Sequence, residues 1–314
     1  MIEEQTPAAD IGATEDLLHR FSFDGLPVRG QWVRLNQALV NGLKHHRYPD
    51  PIACLMGQMF AAVSMFADNL KFAGAVTLQS SGQGTLTRSL AECRNQQYLR
   101  GVAQLSESGE RPDNATLAQW LGKQATLALS LIPDDINQSP YQGMVALDST
   151  SLQHDLEHYF EVSEQLPTRL FLTSDGNSAT GLLLQRLPSA DLATEVQLAE
   201  HEEGWNTVCV LADTLTDQEL AKLSVRELLR RLFHELPCRL QDPRRLSYRC
   251  TCSRSKTDTT LHMLGAAELR EILLEQGQIE VGCELCGITY RYDEIDVARL
   301  IKSGPNQPAS DALH

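Results

Sequence analysis

Positive charge is scarce in this sequence. Its 314 residues hold 27 Lys and Arg against 41 Asp and Glu, for a net charge of −14 and a pI of about 5.1. A nucleic-acid binder needs a basic surface to neutralise phosphates, so this balance argues against broad nucleic-acid binding. It fits a protein kept dispersed by self-repulsion. Long apolar runs are also missing. The best candidate, "IACLMGQMFAAVSMFADNL", is interrupted by Gly57, Gln58, Ser64 and Asp68 and reads as a buried helix rather than a membrane span. The N-terminus, "MIEEQTPAADIGATEDLLHR", lacks the basic start and apolar stretch of a secretory signal, which makes the cytoplasm the expected location. No hydrolase or kinase constellation stands out. "SGQG" at Ser81–Gly84 lacks the Gly-Lys-Ser/Thr of a phosphate-binding loop. His154 and His158 stand four apart in a predicted helix, a spacing that can hold metal, but with no third ligand they read as a solvent-facing pair. His45, His46, His234 and His262 show no acidic or metal-ligand spacing.

What is present divides along the chain. Residues 1–20 read as an acidic, flexible lead-in. Residues 21–190 carry strand-like runs between turn signals: "VRGQWVRL", "FAGAVTLQSS", "TLTRSLAECR", "YLRGVAQL", "ATLALSLIP" and "YQGMVALDS". A short helix is expected over "NQALVNGLKHH". A second follows Pro51, which suits a first helical turn, and runs to about Leu70 with apolar residues around most of its circumference. "SLQHDLEHYFEVSEQL" predicts an amphipathic helix ended by Pro167, and "RLFLTSDGNSATGLLLQRLP" predicts a hairpin turning at "SDGNS". The fold class is therefore α+β, with a mostly antiparallel sheet domain and packed helices.

From about 191 to 245 the texture turns helical. Ser224 and Glu227 predict a capping box opening "VRELLRRLFHE", with Leu228, Leu229, Leu232 and Phe233 on its apolar face. Two readings stand: an ordinary helical subdomain packed on the sheet, or a metastable cover whose apolar faces can be uncovered. Residues 246–303 hold the cysteine cluster, and 304–314 read as a disordered polar tail.

Eight cysteines are present. Cys54, Cys93, Cys209 and Cys238 are scattered; Cys54, Cys93 and Cys209 read as small apolar core residues, and Cys238 is near enough to Cys250 in sequence to be an accessory thiol. Cys250, Cys252, Cys283 and Cys286 form two pairs, in "RCTCSRSK" and "VGCELCGITY", flanking a helix "AAELREILLEQG" that Gly277 stops. Clustered pairs in a reducing compartment point to metal or redox chemistry. Four thiolates suit one tetrahedral zinc ion, and Gly287 lets the second pair form a knuckle. Iron–sulfur clusters use differently spaced ligand runs. The segment is too small to hold together well on its own core, so metal would supply folding energy. The Cys-x-Cys half is irregular for a zinc ribbon. Its sulfurs can ligate metal or close a strained, easily reduced disulfide, so spacing leaves both a structural staple and an oxidation switch open. A zinc-ribbon nucleic-acid binder disagrees with the overall acidity. A thiol oxidoreductase would want Cys283 and Cys286 to open a helix, where strands are expected.

The Cys-x-Cys-Ser, Leu264-Gly265, Glu268-Leu269 and Cys-x-x-Cys-Gly pattern resembles the heat shock protein 33 family (33 kDa chaperonin), the redox-regulated holdase chaperones. The resemblance extends upstream through "VRG" at Val28–Gly30, "LKFAG", "RGVA", "YQGMVAL", "SEQLPTRLFL", "GLLLQRLP" and "LLRRLFHE". It implies a non-enzymatic, ATP-independent cytoplasmic chaperone that is inactive while reduced, with one zinc ion on Cys250, Cys252, Cys283 and Cys286. It further implies that oxidation pairs Cys250 with Cys252 and Cys283 with Cys286. Zinc is then released, the C-terminal domain unfolds and the linker loosens, exposing apolar surface that holds unfolding or oxidatively damaged client proteins, with homodimerisation. No nucleic-acid or membrane partner is implied.

Overall fold

A computed structural model describes residues 15–70, 72–107, 116–147, 151–188 and 194–303. In chain order the first elements are β1 (Leu17–Phe23), β2 (Val28–Leu35), α1 (Gln37–Leu43), α2 (Asp50–Asp68), β3 (Gly74–Ser81), β4 (Leu86–Arg94) and β5 (Tyr98–Leu105). They are followed by α3 (Leu117–Leu121), β6 (Thr126–Pro133), β7 (Tyr141–Ala146), α4 (Leu152–Ser163), β8 (Thr168–Ser174) and β9 (Ala179–Arg186). Next come α5 (Glu195–Ala212), α6 (Asp217–Lys222), α7 (Val225–Phe233), β10 (Cys238–Leu240), β11 (Arg244–Arg245) and β12 (Ser247–Tyr248). The chain forms two compact units, 1–249 and 250–314. The fold is α+β, as the sequence predicts.

In the larger unit, α2 explains the architecture. Pro51 sits in its first turn, Asp50 favours the helix N-terminus, and Met56, Met59, Phe60, Val63 and Met65 are fully buried. Apolar all round, it needs covering on every side, and strands of two sheets supply that cover. One sheet has the order β10-β1-β2-β9-β8, with β11 also on β1; the other has β12-β5-β4-β3-β6-β7. Every pairing is antiparallel except β12 with β5. By length and composition α2 passes for a membrane span, yet 72% of it is buried inside the protein.

The first sheet is buried on both faces. Strand alternation sends Leu18, Val33, Leu35, Leu170, Leu172 and Leu183 toward α2. Phe21, Phe23, Val28, Trp32, Leu182 and Leu184 point the other way, onto Trp205, Val208, Leu228, Leu232 and Phe233 of α5 and α7. Burial on both sides is why "GLLL" in β9 is continuously apolar although its neighbours are antiparallel. Phe23 meets Phe233 edge-to-face at 5.0 Å. Phe21 lies over its cross-strand partner Gly30, where any Cβ would fall about 2.0 Å from the ring, so this "VRG" glycine is required by the aromatic packing.

Two expectations about boundaries are corrected. The lead-in expected over 1–20 is strand from Leu17, because Leu17 and Leu18 pair with Arg34 and Val33 of β2; residues 1–14 and the tail at 304–314 lie outside the described residues. The helical linker expected over 191–245 ends earlier. β10 and β11 return to β1, and β12 to β5, so residues 238–248 belong to the sheets and the larger unit runs to Arg249 instead of stopping at 245. A buried carboxylate fastens this return. Asp68, at the end of α2 with its side chain 0% exposed, accepts from Gln31 Nε2 at 2.9 Å and lies 3.3 Å from Arg20 Nε. Arg244 Nε of β11 stands 3.3 Å from its Oδ1 as an ion pair without hydrogen-bond geometry.

The smaller unit contains α8 (Arg254–Leu264), α9 (Ala266–Gln276), β13 (Ile279–Gly282), β14 (Thr289–Tyr292) and α10 (Glu294–Ser303). Its core is modest: Leu261, Leu269, Ile279, Tyr292, Val297 and Leu300 are its buried apolar cluster.

Candidate metal centre

Each cysteine pair is placed by local structure. β13 and β14 pair in antiparallel register from Ile279 with Tyr292 to Gly282 with Thr289, which puts Cys283 and Cys286 on the turn between them. The Cys283 N–H donates to Ile288 O at 2.8 Å, and the Gly287 N–H donates to Cys283 O at 2.8 Å. Gly287 takes φ +68°, the left-handed conformation that a glycine adopts without cost. Cys250 and Cys252 lie on the strand-like lead into α8, whose first turn is capped by Ser253 accepting from the Lys256 N–H at 3.3 Å.

The two halves share a device that their spacing conceals. The Ile288 N–H is directed at Cys286 Sγ, and the Cys252 N–H is directed at Cys250 Sγ. In both cases the amide two residues on supports a sulfur. The Cys-x-Cys half is therefore a knuckle in which the supporting amide belongs to the second ligand itself. Tyr290 Oη of β14 adds a hydrogen bond to Cys252 Sγ at 3.2 Å. Tyr292, held by Asp258 at 2.7 Å and by the Arg254 guanidinium 4.3 Å from its ring, ties β14 to α8.

All four sulfurs lie within 4.8 Å of one another. Cys250 Sγ is 3.7 Å from Cys283 Sγ, and Cys252 Sγ is 3.4 Å from Cys286 Sγ. Four sulfurs about 2.3 Å from a zinc ion would stand about 3.8 Å apart at the corners of a tetrahedron, so the donor set fits such a cation. Proton energetics agree. Burial pushes the Cys250 and Cys286 thiols up; the three neighbouring sulfurs add to that at Cys286, while at Cys250 the Cys252 amide and Cys286 pull against it. Burial also pushes on Cys252, but hydrogen bonds from Tyr290 and the other thiols outweigh it and pull its pKa down. Of these thiols Cys252 is the one pulled toward ionisation, and a divalent cation bound among the four sulfurs would favour the thiolate form of each.

The scattered cysteines are of a different kind. Cys93 is fully buried, with its pKa pushed up to about 12 by burial. Burial also raises Cys238 to about 12 and Cys209 to about 11, and raises Cys54. Thiols held in that state are poor nucleophiles. The core placement read from sequence holds for Cys93, while Cys54 and Cys209 are only half-buried. His154 and His158 are both exposed, and the four cysteines are the metal-competent cluster among the described residues. Ile288, just after the knuckle, is 48% exposed. Sequence reasoning missed the Tyr290 hydroxyl as a partner of Cys252; what marks it is its place on the strand that follows the second knuckle.

Fold and site together define a class: an α+β protein with a four-thiol centre in a small C-terminal unit. The family model described as Hsp33 protein matches residues 16–293. The 33 kDa chaperonin of Shewanella oneidensis is 38% identical over 291 residues, covering 93% of this chain and 97% of that protein. The 33 kDa chaperonin of Shewanella loihica is 40% identical over 292 residues, covering 93% and 98%. That of Pseudomonas syringae pv. tomato is 38% identical over 303 residues, covering 95% and 98%. Among solved structures, the crystal structure of the 33 kDa chaperonin (heat shock protein 33 homolog) of Thermotoga maritima matches with a TM-score of 0.78 at 23% identity, over 92% of this chain and 98% of that one, a likeness of fold. The chain belongs to the Hsp33 family, and so to a family of chaperones rather than an enzyme class.

Proposed function

We propose that this protein is an oxidation-activated, ATP-independent holdase chaperone of the cytoplasm. The observation that carries the reading is the convergence of four thiols in a unit with only a small apolar core of its own. Cys250, Cys252, Cys283 and Cys286 would hold one zinc ion, which when bound supplies folding energy and keeps all four sulfurs as thiolates.

Oxidation removes that support. A peroxide takes two electrons from each pair: Cys250 closes on Cys252 and Cys283 on Cys286, and each equivalent of hydrogen peroxide takes up two protons from solvent and leaves as two waters. Pairing within each motif is favoured because those sulfurs stay neighbours in sequence once the unit opens, whereas Cys250–Cys283 and Cys252–Cys286 contacts need the fold. The ligands are then gone, zinc is released, and the unit loses its organising centre. The apolar surface to be exposed is the sheet face built from Phe21, Phe23, Val28, Trp32, Leu182 and Leu184, together with the helix faces of α5 and α7 that cover it. α5 suits a removable cover, since it already leaves Val196 and Val210 67% exposed. Unfolding or oxidatively damaged proteins are the partners such a surface would hold, and a dimer of the oxidised chain would shield part of it between captures; neither nucleic acid nor membrane is required.

The test compares the reduced, zinc-loaded full chain with the peroxide-treated, zinc-released chain in suppressing aggregation of a chemically denatured enzyme, followed by light scattering. The oxidised form is expected to suppress aggregation and the reduced form to fail; equal activity in both would sink the switch.

A further inference from the structure

A cavity of about 340 Å³ lies between α7 and β10, at the lower end of the range that small-molecule pockets occupy. Its floor is apolar, made by Leu229, Phe233, Leu236 and Leu240. Arg226 and Arg230, four apart on one face of α7, line it beside His234, which lies 3.7 Å from Glu235. Other charges on this cover are spent: Arg231 pairs with Glu219, and Glu227 accepts from the Ser224 cap. Arg226 and Arg230 make no ion pair or hydrogen bond with a described residue. On a chain of net charge −14, two guanidiniums four apart on one helix face, with the capped carboxylate of Glu227 acting on Arg230 through space, stand beside an apolar lining, and that is a specific combination.

We propose that this cavity binds a single-chain carboxylate amphiphile. The headgroup lies across Arg226 and Arg230, whose planar forks match a carboxylate, and the hydrocarbon tail lies on Leu229, Phe233, Leu236 and Leu240. The volume suits one tail of medium length. The walls come from α7 on one side and from β10, paired with β1, on the other, so an occupant bridges the covering helix to the sheet beneath it. By linkage it stabilises that closed arrangement. This last consequence rests on the opening proposed above; the binding does not.

Calorimetric titration of the reduced full chain with decanoate, below its micellar concentration, tests the site. Saturable binding of one equivalent is expected. Decyltrimethylammonium, with the same tail and the opposite charge, and butyrate, with the same head and little tail, are each expected to bind at least about tenfold more weakly. The double variant Arg226→Gln, Arg230→Gln alters two exposed side chains that make no hydrogen bond or close ion pair with a described residue. It is expected to keep the parent's circular dichroism and to lose at least about tenfold in decanoate affinity. Equal affinity for the cationic amphiphile, an unchanged double variant, or no saturable binding of decanoate to the parent would each overturn the assignment.

Discussion

The sheet of β1, β2, β9 and β8 is buried on both faces, and the two are covered in different ways. One face packs on α2, a single helix enclosed so fully that Met59, Phe60 and Val63 have no exposed surface. The other is covered by α5, α6 and α7. Each of these is short or half-exposed, and each is closed by its own capping box: Thr194 with Gln197, Thr216 with Glu219, and Ser224 with Glu227. A buried helix such as α2 cannot leave without dissolving both sheets. Helices α5–α7 contact one sheet face and have their N-termini capped locally, so loosening them would leave the sheet held from its far side. The same strand alternation thus builds a core on one face and a cover on the other.

Removing the metal should break this comparison most visibly. Chelation of the reduced protein is expected to unfold residues 250–303, withdrawing on the order of 10 kcal/mol of binding energy from a unit with few buried side chains. Amide exchange should then rise throughout that unit and remain slow in α2; retained protection over 250–303 would show that the small core suffices. Cavities on the two faces should come next. Phe60→Ala is expected to cost about 3–5 kcal/mol and to lower the unfolding midpoint of the larger unit as a whole. Phe233→Ala removes a comparable side chain from the cover, yet is expected to speed exchange chiefly in α5–α7 and to give the reduced protein some holding activity. Indistinguishable exchange patterns for the two variants would erase the distinction between core and cover.

The stitch at Asp68 should matter less. Asp68→Asn keeps the shape but takes the charge from beneath Arg20 and Arg244, which are partly exposed and can find water, so a loss of about 2 kcal/mol is expected. Denaturant unfolding measures the loss, and faster exchange around β11 would locate it. Smallest is the effect of acid on the caps. Hydrogen bonds from Thr216 hold Glu219, and those from Ser224 hold Glu227, below the ordinary carboxylate range. A depressed carboxylate stabilises the fold above its unfolded pKa and loses that contribution as pH falls through its folded one. Amide signals of α6 and α7 should therefore shift toward frayed positions as pH drops below about 4, before those of α2 change.

Much of this was legible in the sequence because the signals were local. Pro51 and an all-round apolar run marked α2. Strand-like runs between turn signals marked β2 to β7, a hairpin turn marked β8 and β9, and Gly277, with φ +76°, stopped α9. The four cysteines were placed by spacing alone. What escaped depends on partners distant in sequence. β10 and β11 are three and two residues long, too short for any periodicity, and exist because β1 offers them an edge. β1 itself hid in an acidic lead-in. α8 is polar, with Leu261 as its buried residue, so no amphipathic period announced it. The cavity beside Arg226 and Arg230 was invisible for the same reason: its second wall is β10.

The central claim is that oxidation of the four thiols is coupled to opening of the cover. Hydrogen exchange followed by mass spectrometry across a peroxide titration, with released zinc counted in the same samples, tests it most directly. The account predicts that zinc release, loss of protection over residues 250–303 and loss of protection in α5–α7 rise together, while α2 stays protected. Complete zinc release with α5–α7 still protected would contradict it.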